Sequence, residues 1–158
     1  MNISDLIAPD RIATAKEVGG KKRALEMLSE LLASSGTELS RGEVFTSMIN
    51  RERLGSTAIG SGVAIPHGRI EGLRNSLGAF IRLAEPVDFD ATDGNPVDMM
   101  FALIVPAQCA EEHLNALATL AHMFSQADLC DRLRQAEDTQ AIHRLLLASD
   151  ADRQHASA

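Results

Sequence analysis

Apolar residues recur at helical spacing in the first third of the chain. In KKRALEMLSELLAS the leucines return every three or four positions, which is the spacing of one helix face. A second segment opens with Ser40-x-x-Glu43, a capping box, and is predicted to end between Arg51 and Leu54. Its apolar stripe consists of Val44, Phe45, Met48 and Ile49. Both segments are predicted to be amphipathic helices that bury one side.

The middle of the chain has the patterns of buried strands. GVAI, which stops at Pro66, and SLGAFIRLA, residues 76–84, are short apolar runs bounded by turn residues. VDMMFALIV is almost continuously apolar up to Pro106, as expected for a strand with both faces buried. Met99 and Met100, within this run, are predicted to fill the core. Such a strand requires helices above and below the sheet, so the pattern predicts a layered α/β domain.

Three further helical patterns close the chain. EEHLNALATLAHMF is followed by a helix predicted to begin at Ser125, with Asp128 in its first turn. The last helix is predicted to begin at Asp138 or Thr139. DADRQHASA, at the end, has no apolar anchor and is predicted to be frayed. No internal repeat or linker interrupts the sequence, so we predict one domain.

Composition narrows the classes of partner. The 158 residues carry a formal charge of -7, only 3% aromatic residues and no Lys/Arg run longer than the three residues 21–23, which argues against nucleic-acid binding. A small basic protein suits this charge better. Cys109 and Cys130 form no CxxC pair and fit a reducing cytosol. The start, MNISDLIAPDR, is not a signal peptide, and no apolar run is long enough to cross a bilayer, so we predict a cytoplasmic protein.

Candidate chemistry is concentrated in GSTAIGSGVAIPHGR, residues 55–69. A P-loop would need a lysine at Ser61, a dinucleotide fingerprint would need a glycine at Ile65, and Gly60-Ser61-Gly62 is too short for a nucleophile elbow. His67 remains, between a proline and a glycine. Neutral imidazole can attack phosphorus without a base, although an isolated Pro-His-Gly is more typical of an ordinary loop histidine.

The neighbours of His67 change that interpretation. NRERLGSTAIGSGVAIPHGR resembles the active-site segment of the enzyme IIA family of the bacterial phosphotransferase system, in its mannitol/fructose/nitrogen class. The KKRALEML, DGNPVDMMFALIVPA and EEHLNALATLA segments recur in the same order in that family. The resemblance implies a sandwich with a mixed β-sheet flanked by helices on both sides. It places the family domain at residues 1–150 and leaves residues 151–158 as a flexible C-terminal tail.

The resemblance also implies roles for individual residues. His67 matches the phosphoryl acceptor, Arg51 the active-site arginine and His113 a second active-site histidine, although spacing alone favours a surface residue for His113. Phosphoryl oxygens are expected to be received near the acceptor, where the candidate groups are Ser56, Thr57, Ser61 and Gly68. Gly68 is expected to leave one side of the imidazole open. His122, His143 and His155 match nothing, and no metal site or bound cofactor is expected.

Within the family, the sequence looks like the nitrogen-type, regulatory enzyme IIA. Phosphate from phosphoenolpyruvate would then reach His67 through an enzyme I and an HPr-like carrier. The chain would be a phosphoryl carrier more than a turnover enzyme, with targets such as potassium-transport or sensor-kinase systems. Three alternatives stay open: an enzyme IIA that supplies a fructose- or mannitol-type enzyme IIB, an interaction module that is never phosphorylated, and a hydrolase that uses His67 and His113.

Overall fold

The computed structural model describes residues 2–15, 17–34, 39–108 and 110–156, which contain a six-stranded mixed sheet. The strands are β1 Ile12–Ala15, β2 Ala58–Gly60, β3 Val63–Ala64, β4 His67–Ile70, β5 Leu77–Val87 and β6 Val97–Pro106. Their order is β1-β5-β6-β3-β2, with β4 also paired to β6. β5 and β6 are antiparallel, whereas β1 runs parallel to β5 and both β3 and β4 run parallel to β6. The expected mixed sheet is confirmed.

Helices cover both faces of this sheet. They are α1 Ile3–Leu6, α2 Lys21–Ala33, α3 Arg41–Arg53, α4 Ala110–Phe124, α5 Ala127–Gln135 and α6 Thr139–Ala156. Apolar residues of α2 and α3 pack on one face, and those of α1, α4, α5 and α6 pack on the other. Strand β6 serves both cores, because Phe101 and Leu103 face one side and Met100 and Ala102 the other. The predicted doubly buried strand is confirmed.

The helix signals in the first half of the chain are confirmed. The Ser40 hydroxyl accepts a hydrogen bond from the Glu43 N–H at 3.1 Å, as the capping box requires. Val44 and Met48 of α3 are fully buried. Near the other end of the chain, Asp138 Oδ1 accepts from the Ala141 N–H at 2.8 Å, and α6 begins one residue after this cap.

Other boundaries differ from the prediction. The prediction that a helix begins at Ser125 is wrong, because the Ser125 hydroxyl donates to the His122 carbonyl at 2.6 Å, and α5 begins only at Ala127. Helix α6 continues to Ala156, so the backbone over 151–156 is helical where the sequence suggests an unanchored tail. The division of the chain at residue 150 stays a prediction.

The strand predicted in GVAI is shorter than expected and has a second part. β3 covers only Val63–Ala64, and after Pro66 the chain pairs with β6 again as β4. Proline has no N–H to donate, so it interrupts the ladder without turning the chain away from β6. This break puts His67 at the first position of a strand, next to a local irregularity at the sheet edge.

Two remaining expectations concern cysteine and membranes. Cys130 is buried, and Cys109 lies outside the described residues. Among the parts of the chain that the structure describes, no helix combines the length and apolarity needed to cross a membrane.

Candidate functional site

His67 points to the α4 side of the sheet. Ile70, three residues on, packs in the core beneath α2 and α3. Because side chains of a strand alternate between faces, His67 faces the opposite side. There it meets His113, in the first turn of α4, with the two ring centroids 5.2 Å apart and the rings tilted by 56°. The structure therefore brings the two predicted histidines together from distant parts of the sequence.

Arg51 reaches the same place from the last turn of α3. It lines a cavity of about 840 Å³ together with His67 and His113. Its Nη1 donates to the Gly55 carbonyl at 2.9 Å, which fixes one corner of the guanidinium. The cavity wall also includes polar side chains of α3 and β4, among them Glu43, Thr46, Ser47, Asn50 and Arg69. The three residues predicted to be catalytic, His67, Arg51 and His113, thus share one concave surface.

The main chain fixes the tautomer of His67. Its Nδ1 lies 2.8 Å from the Ile65 carbonyl oxygen, which can only accept a hydrogen bond. Nδ1 therefore carries the proton of the neutral ring, and Nε2 keeps its lone pair. Burial lowers the pKa of His67 below the ordinary 6.5, and the positive charge of Arg51 also lowers it. The hydrogen bond to the Ile65 carbonyl raises this pKa, but by less than burial lowers it. At neutral pH the ring is uncharged, and the residue is only 9% exposed.

His113 is held neutral as well. Burial lowers its pKa from 6.5 to about 4, and repulsion from Arg69, Arg51 and a protonated His67 acts in the same direction. Its Nδ1 is buried without a hydrogen-bond partner among the described residues. A neutral imidazole has one N–H to donate, so His113 can supply a single hydrogen bond to a group that approaches His67.

The reason for a glycine at position 68 differs from the predicted one. A Cβ added there would lie 2.9 Å from the Ser47 Cβ and closer still to its hydroxyl oxygen. The Ser47 hydroxyl itself donates to the Arg69 carbonyl at 3.0 Å. Gly68 lines the cavity, and its absent side chain makes room for α3 to pack on β4.

The three predicted phosphate-binding hydroxyl residues lie elsewhere. The Ser56 hydroxyl donates to the Phe89 carbonyl at 2.6 Å, and the Thr57 hydroxyl donates to the Glu52 carboxylate. Ser61 sits in the exposed turn between β2 and β3, in the left-handed region at φ 58°. None of these three residues lines the cavity, and the prediction that they receive phosphoryl oxygens stays a prediction.

One buried acid was missed by the sequence reasoning. Glu52 is 5% exposed, pairs with Lys21 Nζ at 2.8 Å, and accepts from the Thr57 N–H at 3.0 Å. The sequence does contain a signal that Glu52 is buried. Val44, Met48 and Glu52 are spaced by four, which places the carboxylate at the end of the buried stripe of α3. A charge in line with a core stripe indicates a buried, paired group.

The cavity carries unpaired positive charge. Among the ion pairs of the described residues, none involves Arg51 or Arg69. In the same described ranges, no cluster of three or more His, Cys, Asp or Glu side chains could hold a metal ion. The lining also contains the carboxylates of Glu43 and Glu71, so the two arginines and two imidazoles offer hydrogen-bond donors to an anion with several oxygens without making the whole wall positive.

Comparisons with known proteins agree with this geometry. Residues 5–149 match the family model described as the phosphoenolpyruvate-dependent sugar phosphotransferase system, EIIA 2. A nitrogen regulatory protein of Pseudomonas aeruginosa is 40% identical over 147 residues, which cover 93% of this chain and 96% of that protein. A fructose-specific EIIA component of Haloferax volcanii is 30% identical, over 92% of this chain and 94% of that protein.

A solved structure shows the same fold. The crystal structure of the nitrogen regulatory protein IIA-Ntr from Neisseria meningitidis matches with a TM-score of 0.86 and 42% identity, covering 91% of this chain and 98% of that one. The matched region includes both histidines and Arg51 of the cavity, since it spans almost the whole domain. The chain belongs to the EIIA 2 family of the phosphoenolpyruvate-dependent sugar phosphotransferase system.

Proposed function

We propose that this chain is the phosphoryl carrier of a nitrogen-related phosphotransferase system. It accepts phosphate on His67 from the phosphohistidine of an HPr-like donor, in the cytoplasm, and regulates partner proteins according to its phosphorylation state. The observation that carries the proposal is the free Nε2 of a neutral His67, which lines a cavity shared with Arg51 and His113. The nitrogen regulatory proteins among its relatives support the regulatory assignment.

Transfer needs one bond to form and one to break. The Nε2 lone pair of His67 attacks the phosphorus, and the P–N bond of the donor breaks, with its electron pair returning to the donor's imidazole nitrogen. No proton has to move, because His67 keeps its Nδ1–H on the Ile65 carbonyl throughout. The ring gains a positive charge as it gains the phosphoryl group, and that hydrogen bond favours the charged ring.

The surrounding groups act by position and charge. Arg51 is tethered to the Gly55 carbonyl by one Nη atom, which leaves its other N–H groups for phosphoryl oxygens. His113 supplies one further donor without adding a charge. Groups fixed before the reaction stabilise the oxygens without reorganising, and this is the main source of catalysis in phosphoryl transfer. Close to two added negative charges at the cavity then change which partner proteins can dock.

The test is a reconstituted relay of phosphoenolpyruvate, an enzyme I and an HPr-like protein, followed by intact mass. The wild type should gain one phosphoryl group, and His67→Ala should gain none because the nucleophile is gone. His122→Ala is the matched control, since His122 is an exposed residue of α4 that does not line the cavity. Uptake of phosphate by His67→Ala would refute the proposal, and an unmodified wild type would favour a pure interaction module.

A sugar-transport role is the second candidate, because one relative is a fructose-specific EIIA component. The phosphorylated protein would then pass its phosphate to a fructose- or mannitol-type enzyme IIB, and the same mass assay would detect the phosphoryl group on that enzyme IIB.

Regulatory partners, such as potassium-transport or sensor-kinase proteins, are sought by comparing pull-downs of wild type, His67→Ala and His67→Asp. Capture that depends on the charge at position 67, without transfer to enzyme IIB, would favour the regulatory function.

A further inference from the structure

A continuous hydrogen-bonded path connects Glu52 to His67. The Glu52 carboxylate accepts from the Thr57 N–H at 3.0 Å, and the Thr57 carbonyl accepts from the Ile65 N–H at 3.0 Å. The Ile65 carbonyl in turn accepts from His67 Nδ1 at 2.8 Å. Thr57 and Ile65 each take part with both their N–H and their C=O groups. A shift of Thr57 therefore moves Ile65, whose carbonyl orients the imidazole.

The start of the path is firmly anchored. Both carboxylate oxygens of Glu52 are used, one by the Thr57 N–H and Lys21 Nζ and the other by the Thr57 hydroxyl. The Glu52 side chain is only 2% exposed, and that of Lys21 20%. Lys21 Nζ also lies 4.8 Å from the centre of the Phe89 ring and 3.3 Å from Asp90 Oδ2. A buried carboxylate with both oxygens held by such donors has little freedom to move.

Glu52 also controls the turn that holds Arg51. The Glu52 carbonyl accepts from the Gly55 N–H at 3.2 Å, and the Gly55 carbonyl accepts from Arg51 Nη1 at 2.9 Å. Through its side chain Glu52 holds Thr57, two residues further along the same turn. The carboxylate does not line the cavity, so it cannot contact the phosphoryl group there; its effect on His67 comes through these hydrogen bonds and through its negative charge, which raises the pKa of His67.

We propose that Glu52, with Lys21 as its partner, is a positioning residue for phosphoryl acceptance by His67. The pair fixes the 55–57 turn and the Ile65 carbonyl, and so selects the Nδ1–H tautomer that leaves Nε2 free to attack. The role in transfer rests on the proposed function of His67, whereas the effect on the tautomer can be measured in the unphosphorylated protein.

The experiment compares Glu52→Ala with Asp150→Ala. Asp150 is 3% exposed and accepts from the Ile3 N–H at 2.9 Å, so both changes remove a buried carboxylate that holds a backbone N–H. Long-range ¹H–¹⁵N correlation spectra distinguish the two neutral tautomers of His67, with His67→Ala used to assign the signals. Glu52→Ala should populate the Nε2–H tautomer, and Asp150→Ala should keep the wild-type Nδ1–H form despite its lower stability.

Kinetics with the HPr-like donor give the second readout. Glu52→Ala should lower kcat by about tenfold to a hundredfold with little change in KM, since misplacement of reacting groups by about 1 Å costs on that order. Glu52→Gln keeps an oxygen for the Thr57 N–H and should recover most of the rate. Asp150→Ala should transfer at the wild-type rate, because a loss of stability alone does not move His67.

The outcomes separate the two proposals. If Glu52→Ala does not fold, Lys21→Met takes its place, and a shift of the tautomer in that variant supports the role of the pair. A folded Glu52→Ala protein, or Lys21→Met in its place, with the wild-type tautomer and wild-type kcat would overturn it. A wild-type protein that takes no phosphate from the relay would instead contradict the proposed function, and it would leave the tautomer result to stand by itself.

Discussion

Replacing Gly68 by alanine would place a methyl group where Ser47 of α3 already lies. The added Cβ would be 2.9 Å from the Ser47 Cβ, closer still to its hydroxyl oxygen, and 3.2 Å from its backbone carbonyl carbon. Two of these three contacts involve atoms that no rotamer change can remove, since the Cβ and the carbonyl carbon are fixed by the helix. Helix α3 must therefore move away from β4.

The size of the effect follows from this geometry. Overpacking of a tight contact costs about 1–3 kcal/mol, and displacing the hydrogen bond from Ser47 to the Arg69 carbonyl adds about 1 kcal/mol. For a domain of this length, the sum corresponds to a fall in Tm of roughly 5–10 °C. Because α3 also carries Arg51, phosphoryl transfer to His67 should slow by about tenfold or more as the two groups separate.

Thermal unfolding and relay kinetics measure these two effects, and two further variants act as controls. Gly42→Ala lies at the start of the same helix with no atom within 4 Å of the added Cβ, so it should leave Tm unchanged or slightly higher. Ser47→Gly combined with Gly68→Ala removes the colliding side chain and should recover much of the lost stability. A Gly68→Ala protein with wild-type Tm and wild-type rate would refute this account of the α3–β4 contact.

Two other predictions concern stability. The free energy of unfolding should fall as pH drops from about 6.5 toward 4, because His113 stays neutral in the folded protein, with its pKa at about 4, but takes up a proton in the unfolded chain. Urea titrations across this range should show a shallower pH dependence for His113→Gln, and an equal dependence would contradict the assignment. Asp150→Ala should cost about 1–2 kcal/mol in the same assay, because it leaves the Ile3 N–H buried without its carboxylate acceptor, and an unchanged midpoint would contradict the importance of that bond.

Local signals in the sequence predict the elements well where the element is long or carries its own cap. The Ser40 capping box and the continuous apolar run of β6 are both found as expected. β1 was missed because it has four residues, Ile12–Ala15, of which only the first is fully buried. The start of α5 was placed too early because Ser125 is a good cap by type, but its hydroxyl is used by the preceding helix.

The candidate site likewise has residues that the sequence could identify and contacts that only the structure shows. The residues brought to the cavity, His67, Arg51 and His113, were identified through the family resemblance, and their packing could not be derived from spacing. The sequence could not show the partners of the Ser56 and Thr57 hydroxyls, because those partners are set by tertiary packing. Ser56 bonds to a residue 33 positions away, and Thr57 bonds to Glu52, which lies in the buried stripe of α3. Glycine at 68 has two possible reasons, room for a ligand or room for a helix, and only tertiary packing distinguishes them.

The hydrogen bond between His67 and the Ile65 carbonyl has a consequence for how one EIIA-type phosphoryl carrier can act on different partner proteins. The imidazole that we propose as the phosphoryl acceptor is oriented by a backbone carbonyl two residues away, so it does not need a bound partner protein to orient it. The residues that would recognise a partner and the groups that orient the ring are then different. Surface residues can change to suit other partners while the orientation of the ring is kept.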